Sequence, residues 1–150
     1  KKGVTPDELT RGAIKVREVG IMLSVTVING LAGREGSNEH AKATAELLNR
    51  VDPEYLGLLS LIAVRGTTMD RQFREGLLTA LTPWEMLGEI KAMVEPLNLT
   101  DAVFRANHAS NYLPLQASLP EEKEQLLDLL SRTIAEQRPE KLRSELWRGL

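Results

Sequence analysis

Helical and strand-like hydrophobic patterns alternate along this chain, and that order constrains the fold more than any other feature. Helical spacing covers about residues 5–19, 37–52, 82–97 and 118–138, and strand-like runs cover 21–28, 56–64 and 101–106. Strands separated by helices of this length pair in parallel through right-handed crossovers. Two to three strands are few for a closed barrel. We therefore expect an α/β fold that forms the end of a barrel or of a doubly wound sheet.

Local signals place the ends of several helices. Thr5-Pro6-Asp7-Glu8 and Thr82-Pro83-Trp84-Glu85 each combine a capping threonine, a proline in the first turn and a glutamate at the capping-box position. Gly20 is expected to end the first helix in a left-handed turn. Ser37 or Asn38 is expected to cap the second helix.

The strand-like runs differ in how they are buried. Residues 21–28 alternate, with Leu23, Val25 and Val27 on one face and Met22, Ser24, Thr26 and Ile28 on the other. Residues 56–64 are nearly all apolar, which predicts a strand covered on both faces. Further along, we expect a short helix at 71–76, an irregular segment at 107–117, a long helix from Ser118, and a last short helix with Leu142, Leu146 and Trp147.

Charge and composition exclude several function classes. The net charge is −2 and aromatic residues make up 4% of the chain, which argues against a nucleic-acid surface. The chain has no cysteine, so it holds no disulfide and no thiolate-bound metal. Its two histidines show no ligand spacing, and we expect no metal site. No apolar run is long enough to span a membrane, and we expect a cytoplasmic protein.

Three segments follow strands, where parallel α/β sheets bind ligands. The first is residues 29–35 of a glycine-rich turn, which suits close approach of a ligand or simply a tight turn. The second begins at Arg65, which could bind a carboxylate or phosphate. The third, residues 104–114, is the densest polar cluster, and His108 could act there as an acid or base. Alternatively, its Asn and Ser side chains satisfy their own loop.

Three stretches together resemble the radical S-adenosylmethionine (SAM) superfamily. These are residues 2–9 (KGVTPDEL), 13–21 (AIKVREVGI) and 25–31 (VTVINGL), which are similar to its fourth helix and fifth strand. Residues 52–57 and Gly66-Thr67 are similar to its sixth strand and the following loop. Residues 107–114 (NHASNYLP) resemble the C-terminal region of uncharacterised iron–sulfur oxidoreductases in that superfamily.

The resemblance implies the C-terminal part of a partial (β/α)6 barrel with parallel strands, flanking helices and a helical C-terminal extension. Residues 1–100 would belong to the barrel and 101–150 to the strand, loop and helical extension. The parent enzyme would use SAM and a [4Fe-4S] cluster to generate a 5′-deoxyadenosyl radical that abstracts hydrogen from an unknown substrate. The cysteine loop that holds the cluster is absent here. We therefore expect the chain alone to bind no cofactor and to be inactive, with the missing half of the barrel as its partner.

The resemblance also implies which residues contact the cofactor and which contact the substrate. Cofactor contacts are expected from Ser24, Ile28, Asn29, Gly30, Leu31, Val64, Gly66 and Thr67, with Glu35 supporting the turn. Substrate candidates are Arg65, Arg105, Asn107, His108, Asn111 and Tyr112. Two alternatives stay open: a cluster-free barrel of the aldolase or isomerase type that uses Arg65 and His108, and a non-enzymatic assembly module. An open sheet edge could also pair two copies of the chain.

Overall fold

A computed structural model describes residues 3–149, so Lys2, in the first stretch that resembles the family, lies outside the described residues. The chain forms a four-stranded sheet with flanking helices. The elements are α1 (Pro6–Glu18), β1 (Ser24–Asn29), α2 (Gly33–Val51), β2 (Tyr55–Ser60), α3 (Thr68–Arg74), α4 (Pro83–Val94), β3 (Ala102–Ala106), β4 (Leu115–Leu119) and α5 (Lys123–Glu136). Two 3-10 turns follow, at Pro139–Lys141 and Glu145–Trp147. The α/β class is confirmed.

The sheet is mixed. Its order is β1-β2-β3-β4; β1, β2 and β3 pair in parallel, and β4 runs antiparallel to β3. The expectation of an all-parallel sheet is therefore wrong at β4. Residues 107–114 alone separate β3 from β4, which is too short for a crossover of a dozen or more residues. Continuation of the sheet into a barrel stays a prediction.

One face of the sheet carries the core. Val25 and Val27 of β1 and the buried residues of the other strands pack against α2, α4 and α5. The buried strand residues are Leu56, Leu58, Ala102, Phe104, Ala106, Leu115, Ala117 and Leu119. Alternate strand residues point to opposite faces, so one set of side chains fills this core. The core contains side chains from both sides of residue 100.

The opposite face, which we call the open face, is accessible and carries both polar and apolar side chains. It consists of Ser24, Thr26, Ile28, Tyr55, Gly57, Leu59, Val103, Arg105, Gln116 and Ser118, all of which are exposed or half-buried. The division of β1 into two faces is confirmed. The expectation that residues 56–64 are covered on both faces is wrong, since Gly57 and Leu59 are half-buried and Val64 is 45% exposed.

The helix starts follow local hydrogen bonding. Thr5 and Thr82 form the expected capping boxes with Glu8 and Glu85, and Gly20 has the expected positive φ, 76°. The predicted cap of α2 at Ser37 or Asn38 is wrong because the helix begins at Gly33. There the amide of Arg34 donates to the Thr79 carbonyl over 2.8 Å, so a neighbouring loop replaces a side-chain cap.

Other boundaries also differ from the sequence expectations. Strand β1 begins at Ser24 rather than 21, β2 ends at Ser60 rather than 64, and α3 covers Thr68–Arg74 rather than 71–76. Strand β4 lies where an irregular segment was expected, so α5 begins at Lys123 and not at Ser118. The last short helix is replaced by 3-10 turns that leave Leu146 and Trp147 exposed. No helix within residues 3–149 combines the length and apolarity needed to cross a membrane.

Candidate functional site

Three segments meet where the parallel strands end. Residues 29–31 cover the last residue of β1 and the turn after it, residues 61–67 follow β2, and residues 107–112 follow β3; we call this region the carboxyl edge. The last residue of β2 joins two of these segments, since the amide of Ser60 donates to Ser110 Oγ over 3.2 Å. The carboxyl edge is thus a continuous structure in which backbone turns and polar side chains contact each other.

A buried carboxylate fixes the turn after β1. Glu89 of α4 is 3% exposed, and its Oε1 accepts hydrogen bonds from the amide of Gly30 at 2.8 Å and from His40 Nδ1 at 2.9 Å. Its Oε2 accepts from the hydroxyl of Ser37. Burial raises the pKa of this carboxyl, but the hydrogen bonds from His40, Gly30 and Ser37 outweigh it and hold the pKa below the ordinary value of 4.5. Glu89 therefore ties the turn to α2 and α4.

Polar groups of the turn after β1 are already engaged in hydrogen bonds within the protein. Asn29 is buried and donates from Nδ2 to the carbonyl of Met86 over 2.8 Å. Gly30 has φ 85°, and a Cβ added there would lie 2.9 Å from Cε of Met86. A ligand at this turn would instead meet Ile28 and Leu31, which are each 39% exposed. This part of the carboxyl edge offers an apolar surface rather than hydrogen-bond donors.

The segment after β2 is a capped turn. Thr67 accepts from the amide of Asp70 and donates to the carbonyl of Val64, so its hydroxyl serves the start of α3. The amide of Gly66 donates to the Asp70 carboxylate over 2.8 Å. Val64 and Arg65 remain exposed. Thr67 is exposed as well, but its hydroxyl is already used within the turn, so Val64 and Arg65 are the better placed of these side chains to contact a ligand.

Of the substrate candidates after β3, Asn111 and Tyr112 lie inside the protein and His108 lies at the surface. Asn111 is 1% exposed; its Oδ1 accepts from Ser60 Oγ at 2.9 Å and its Nδ2 donates to the carbonyl of Leu58 at 2.8 Å. His108 is exposed, and its Nδ1 accepts from the amide of Ser110 at 3.1 Å. An imidazole that accepts at Nδ1 carries its proton on Nε2 when neutral. In that form it cannot act as a base through Nε2.

A C-terminal clasp, formed by Arg143, Glu145 and Arg148, holds this segment. Nη1 of Arg143 donates to the carbonyls of His108, Ala109 and Asn111 over 2.9 to 3.0 Å. Guanidinium donors that meet several carbonyls fix a loop more firmly than one contact would. The polar cluster at 107–112 is therefore used in large part to order its own backbone.

The rest of the clasp surrounds Tyr112. Arg148 lies 3.9 Å from the ring centroid and donates to the carbonyls of Ser110 and Leu61 at 2.7 and 3.1 Å. The hydroxyl of Tyr112 donates to Glu145. Burial, followed by this hydrogen bond, raises the pKa of Tyr112 to about 12. Tyr112 is a neutral, 6% exposed anchor of the carboxyl edge.

A cavity of about 230 Å³ opens beside this anchor. It lies among the turns after β1 and β2, the start of α4 and the clasp. Its lining residues are Gly30, Leu61, Phe73, Ala80, Leu81, Met86, Tyr112, Glu145 and Arg148. A larger cavity of about 350 Å³ lies between α1, α2 and β1 and is almost entirely apolar. The smaller cavity is the one that adjoins the expected cofactor residues.

The residues expected to contact cofactor or substrate do not all lie at the carboxyl edge. Ile28, Asn29, Gly30 and Leu31 lie at the carboxyl edge, but Ser24 is at the other end of β1, about 13 Å away at the usual rise per residue. Arg105 lies within β3, opposite Gly57, rather than at the strand end. Asn107 is exposed just after β3. The expected contacts thus divide between the carboxyl edge and the open face.

Several residues that shape the site were not singled out from the sequence. These are Glu89 and the clasp, which carry its most extensive hydrogen bonding. Glu35, which the resemblance had assigned to support the turn, accepts hydrogen bonds from the amide and hydroxyl of Thr79. One signal for Glu89 was present, because it falls between Met86 and Met93 in the apolar stripe of α4. A charged residue inside such a stripe indicates a buried partner. No comparable signal in the sequence indicated the clasp.

The residues present do not fit an iron–sulfur cluster, since the chain has no cysteine. Within residues 3–149, no group of three or more His, Cys, Asp or Glu side chains is arranged to hold a metal ion. No protein-family model matches the chain, and no curated protein matches it significantly. The functional argument therefore depends on the residues and their geometry.

Proposed function

We propose that this chain is the C-terminal part of a radical SAM oxidoreductase and that its carboxyl edge contacts the adenosyl group of SAM. The observation that carries the proposal is the position of exposed apolar side chains at the ends of neighbouring parallel strands. Ile28 is the next-to-last residue of β1, Leu31 lies two residues after β1 ends, and Val64 lies four residues after β2 ends. Ligands of parallel α/β sheets bind at this end of the strands.

The chemistry of the surface suits a purine. Adenine is flat, and aliphatic side chains cover its faces through dispersion and burial of apolar area. The turn after β1 is already braced by Glu89, which holds the Gly30 amide. A braced backbone presents Ile28 and Leu31 without the entropy cost of ordering a loop on binding.

Within the parent enzyme, SAM and its cluster would supply a 5′-deoxyadenosyl radical for hydrogen abstraction from the substrate. The cluster would be held by cysteines outside this chain. The part assigned to the described residues is binding: Ile28, Leu31 and Val64 orient the adenosyl group over the end of the sheet. We expect no stoichiometric iron and no radical chemistry from the chain alone.

The two alternatives are weaker. An aldolase or isomerase that relies on His108 as a base lacks a free acceptor nitrogen there in the neutral form. An assembly module has one favourable observation: within residues 3–149, β1 has a strand neighbour on one side only. That alternative predicts no binding of an adenosyl ligand, so the experiment below separates it from the proposal.

The experiment is a titration of the full chain with SAM, followed by amide chemical shifts in NMR. We expect the shifts to cluster at residues 28–31 and 62–67. S-adenosylhomocysteine should produce the same pattern and methionine should not, because the expected contact is with the adenosyl group. Shifts spread evenly over the surface, or an equal response to methionine, would contradict the proposal.

A matched pair of variants tests the surface itself. Leu31→Asp places a charge against the adenine, and it should weaken SAM binding at least about tenfold. Leu129→Asp is the control, because Leu129 has a similar exposure, 42% against 39%, but lies on α5. If both variants weaken SAM binding equally, or neither does, Leu31 is not part of a SAM site.

A further inference from the structure

The open face carries one cation in a row of small or polar residues. The strand register places Thr26 of β1, Gly57 of β2, Arg105 of β3 and Gln116 of β4 side by side across the sheet. Adjacent strands lie about 4.8 Å apart, so Thr26 and Arg105 are separated by about 10 Å. Gly57, between them, has no side chain. The row therefore contains a trough with a hydroxyl on one side and a guanidinium on the other.

Among residues 3–149, the guanidinium in this row forms no salt bridge within 4.0 Å. Arg105 is exposed, and its recorded side-chain partner among residues 3–149 is the neutral amide oxygen of Gln116, which accepts from Nη1 over 2.6 Å. That bond uses one of the five guanidinium N–H groups. Nε and Nη2 remain able to make the two parallel hydrogen bonds that a carboxylate accepts.

We infer that this row is a binding site for the carboxylate of a small-molecule ligand. Arg105 would bind both oxygens, and the hydroxyl of Thr26 would donate to the same group across Gly57. The inference rests on the proposed function in one respect, since the ligand would be the substrate that faces the inside of the barrel. The carboxylate site itself can be tested without SAM.

Charge favours a carboxylate over a phosphate. Arg105 is the sole charged residue of the open face, and a single cation matches the single charge of a carboxylate. Glu122 lines a cavity of about 260 Å³ together with Arg105, which adds a negative charge nearby. Its carboxylate accepts from the amide of Ser118 over 2.6 Å. A phosphate dianion would meet more repulsion here than a carboxylate would.

Gly57 is the second structural requirement. A Cβ added at Gly57 would lie 3.4 Å from Oγ1 of Thr26, in ordinary contact, so a small side chain fits without breaking the sheet. A larger one would fill the trough while leaving the charge of Arg105 unchanged. Gly57→Val therefore tests the shape of the site independently of its charge.

The experiment is an NMR titration of the full chain with propionate, with uncharged propionamide and inorganic phosphate as parallel probes. We expect propionate to shift the amides of Thr26 and Gly57 and the Nε–H of Arg105. Propionamide should leave them unchanged and phosphate should bind more weakly. Equal or tighter binding of phosphate would overturn the assignment to a carboxylate.

Three variants complete the test. Arg105→Gln should weaken propionate binding at least about tenfold, since charge-assisted hydrogen bonds are lost. Gly57→Val should weaken it as well, and Arg11→Gln, which removes an exposed charge from α1, should leave it unchanged. Loss of affinity in Arg11→Gln, or none in Arg105→Gln, would overturn the inference. The carboxylate signals lie at Thr26, Gly57 and Arg105, and the SAM signals lie at residues 28–31 and 62–67, so the two tests can fail independently.

Discussion

Replacement of Glu89 by glutamine should destabilise the fold measurably, although the side chain keeps its shape. The carboxylate receives three hydrogen bonds in a buried position, from Gly30, Ser37 and His40. A glutamine can still accept from Gly30, but its NH₂ group faces the Ser37 hydroxyl and the charge is lost. Hydrogen bonds to charged groups contribute about 1.5 to 3 kcal/mol each and are not additive. We therefore expect a loss of about 1 to 2 kcal/mol in the free energy of unfolding.

Glu89→Ala should cost more, about 3 to 5 kcal/mol, because it leaves the Gly30 amide without its acceptor and opens a gap. The assay is urea unfolding followed by circular dichroism, with all variants compared at the same pH. Glu46→Gln on the exposed side of α2 is the control and should change stability by less than about 0.5 kcal/mol. If Glu89→Gln were as stable as this control, the buried carboxylate would not brace the turn.

The pH dependence has a definite sign. The pKa of Glu89 is lowered in the folded protein, so its contribution to stability is present above the ordinary value of 4.5. That contribution is lost as the pH falls through the folded pKa. The stability difference between the wild type and Glu89→Gln should therefore be largest near neutral pH and shrink in acid. A difference that grew in acid would refute the reasoning.

Two further predictions concern the carboxyl edge. The pKa of Tyr112 is raised to about 12, so its contribution to stability is complete below the unfolded pKa near 10 and is lost as the pH rises towards 12. Tyr112→Phe should therefore reduce the loss of stability between pH 10 and pH 12 in alkaline unfolding. An unchanged loss in the variant would contradict this role of Tyr112. Asn111→Ala should lower the free energy of unfolding by about 2 to 3 kcal/mol, because the Leu58 carbonyl and the Ser60 hydroxyl lose their buried partner. Exposed Asn107→Ala is the control for urea unfolding, and equal losses would show that Asn111 has no special role.

The sequence predicted the elements whose signals are local. The capping boxes at Thr5 and Thr82 depend on residues three apart, and both formed as expected. The alternation in β1 likewise predicted which side chains face the core. Helix caps and strand alternation depend mainly on residues close in sequence, so tertiary contacts did not alter them here.

Features decided by distant partners were harder to predict. Helix α2 begins four residues before Ser37 because the Thr79 carbonyl, far along the chain, receives the amide of Arg34. Strand β4 was available in the alternation of Leu115, Ala117 and Leu119, but the polar cluster before it suggested an irregular loop. In the structure, several backbone carbonyls of that cluster accept hydrogen bonds from Arg143 and Arg148 of the clasp.

The one-sided packing of the sheet separates the residues that maintain the architecture from those that meet solvent. Because odd and even positions of each strand point in opposite directions, substitutions at Ser24, Thr26 or Gln116 leave the hydrophobic layer untouched. A sheet arranged in this way can acquire a new binding specificity through substitutions of its solvent-facing side chains while its core-facing side chains stay the same.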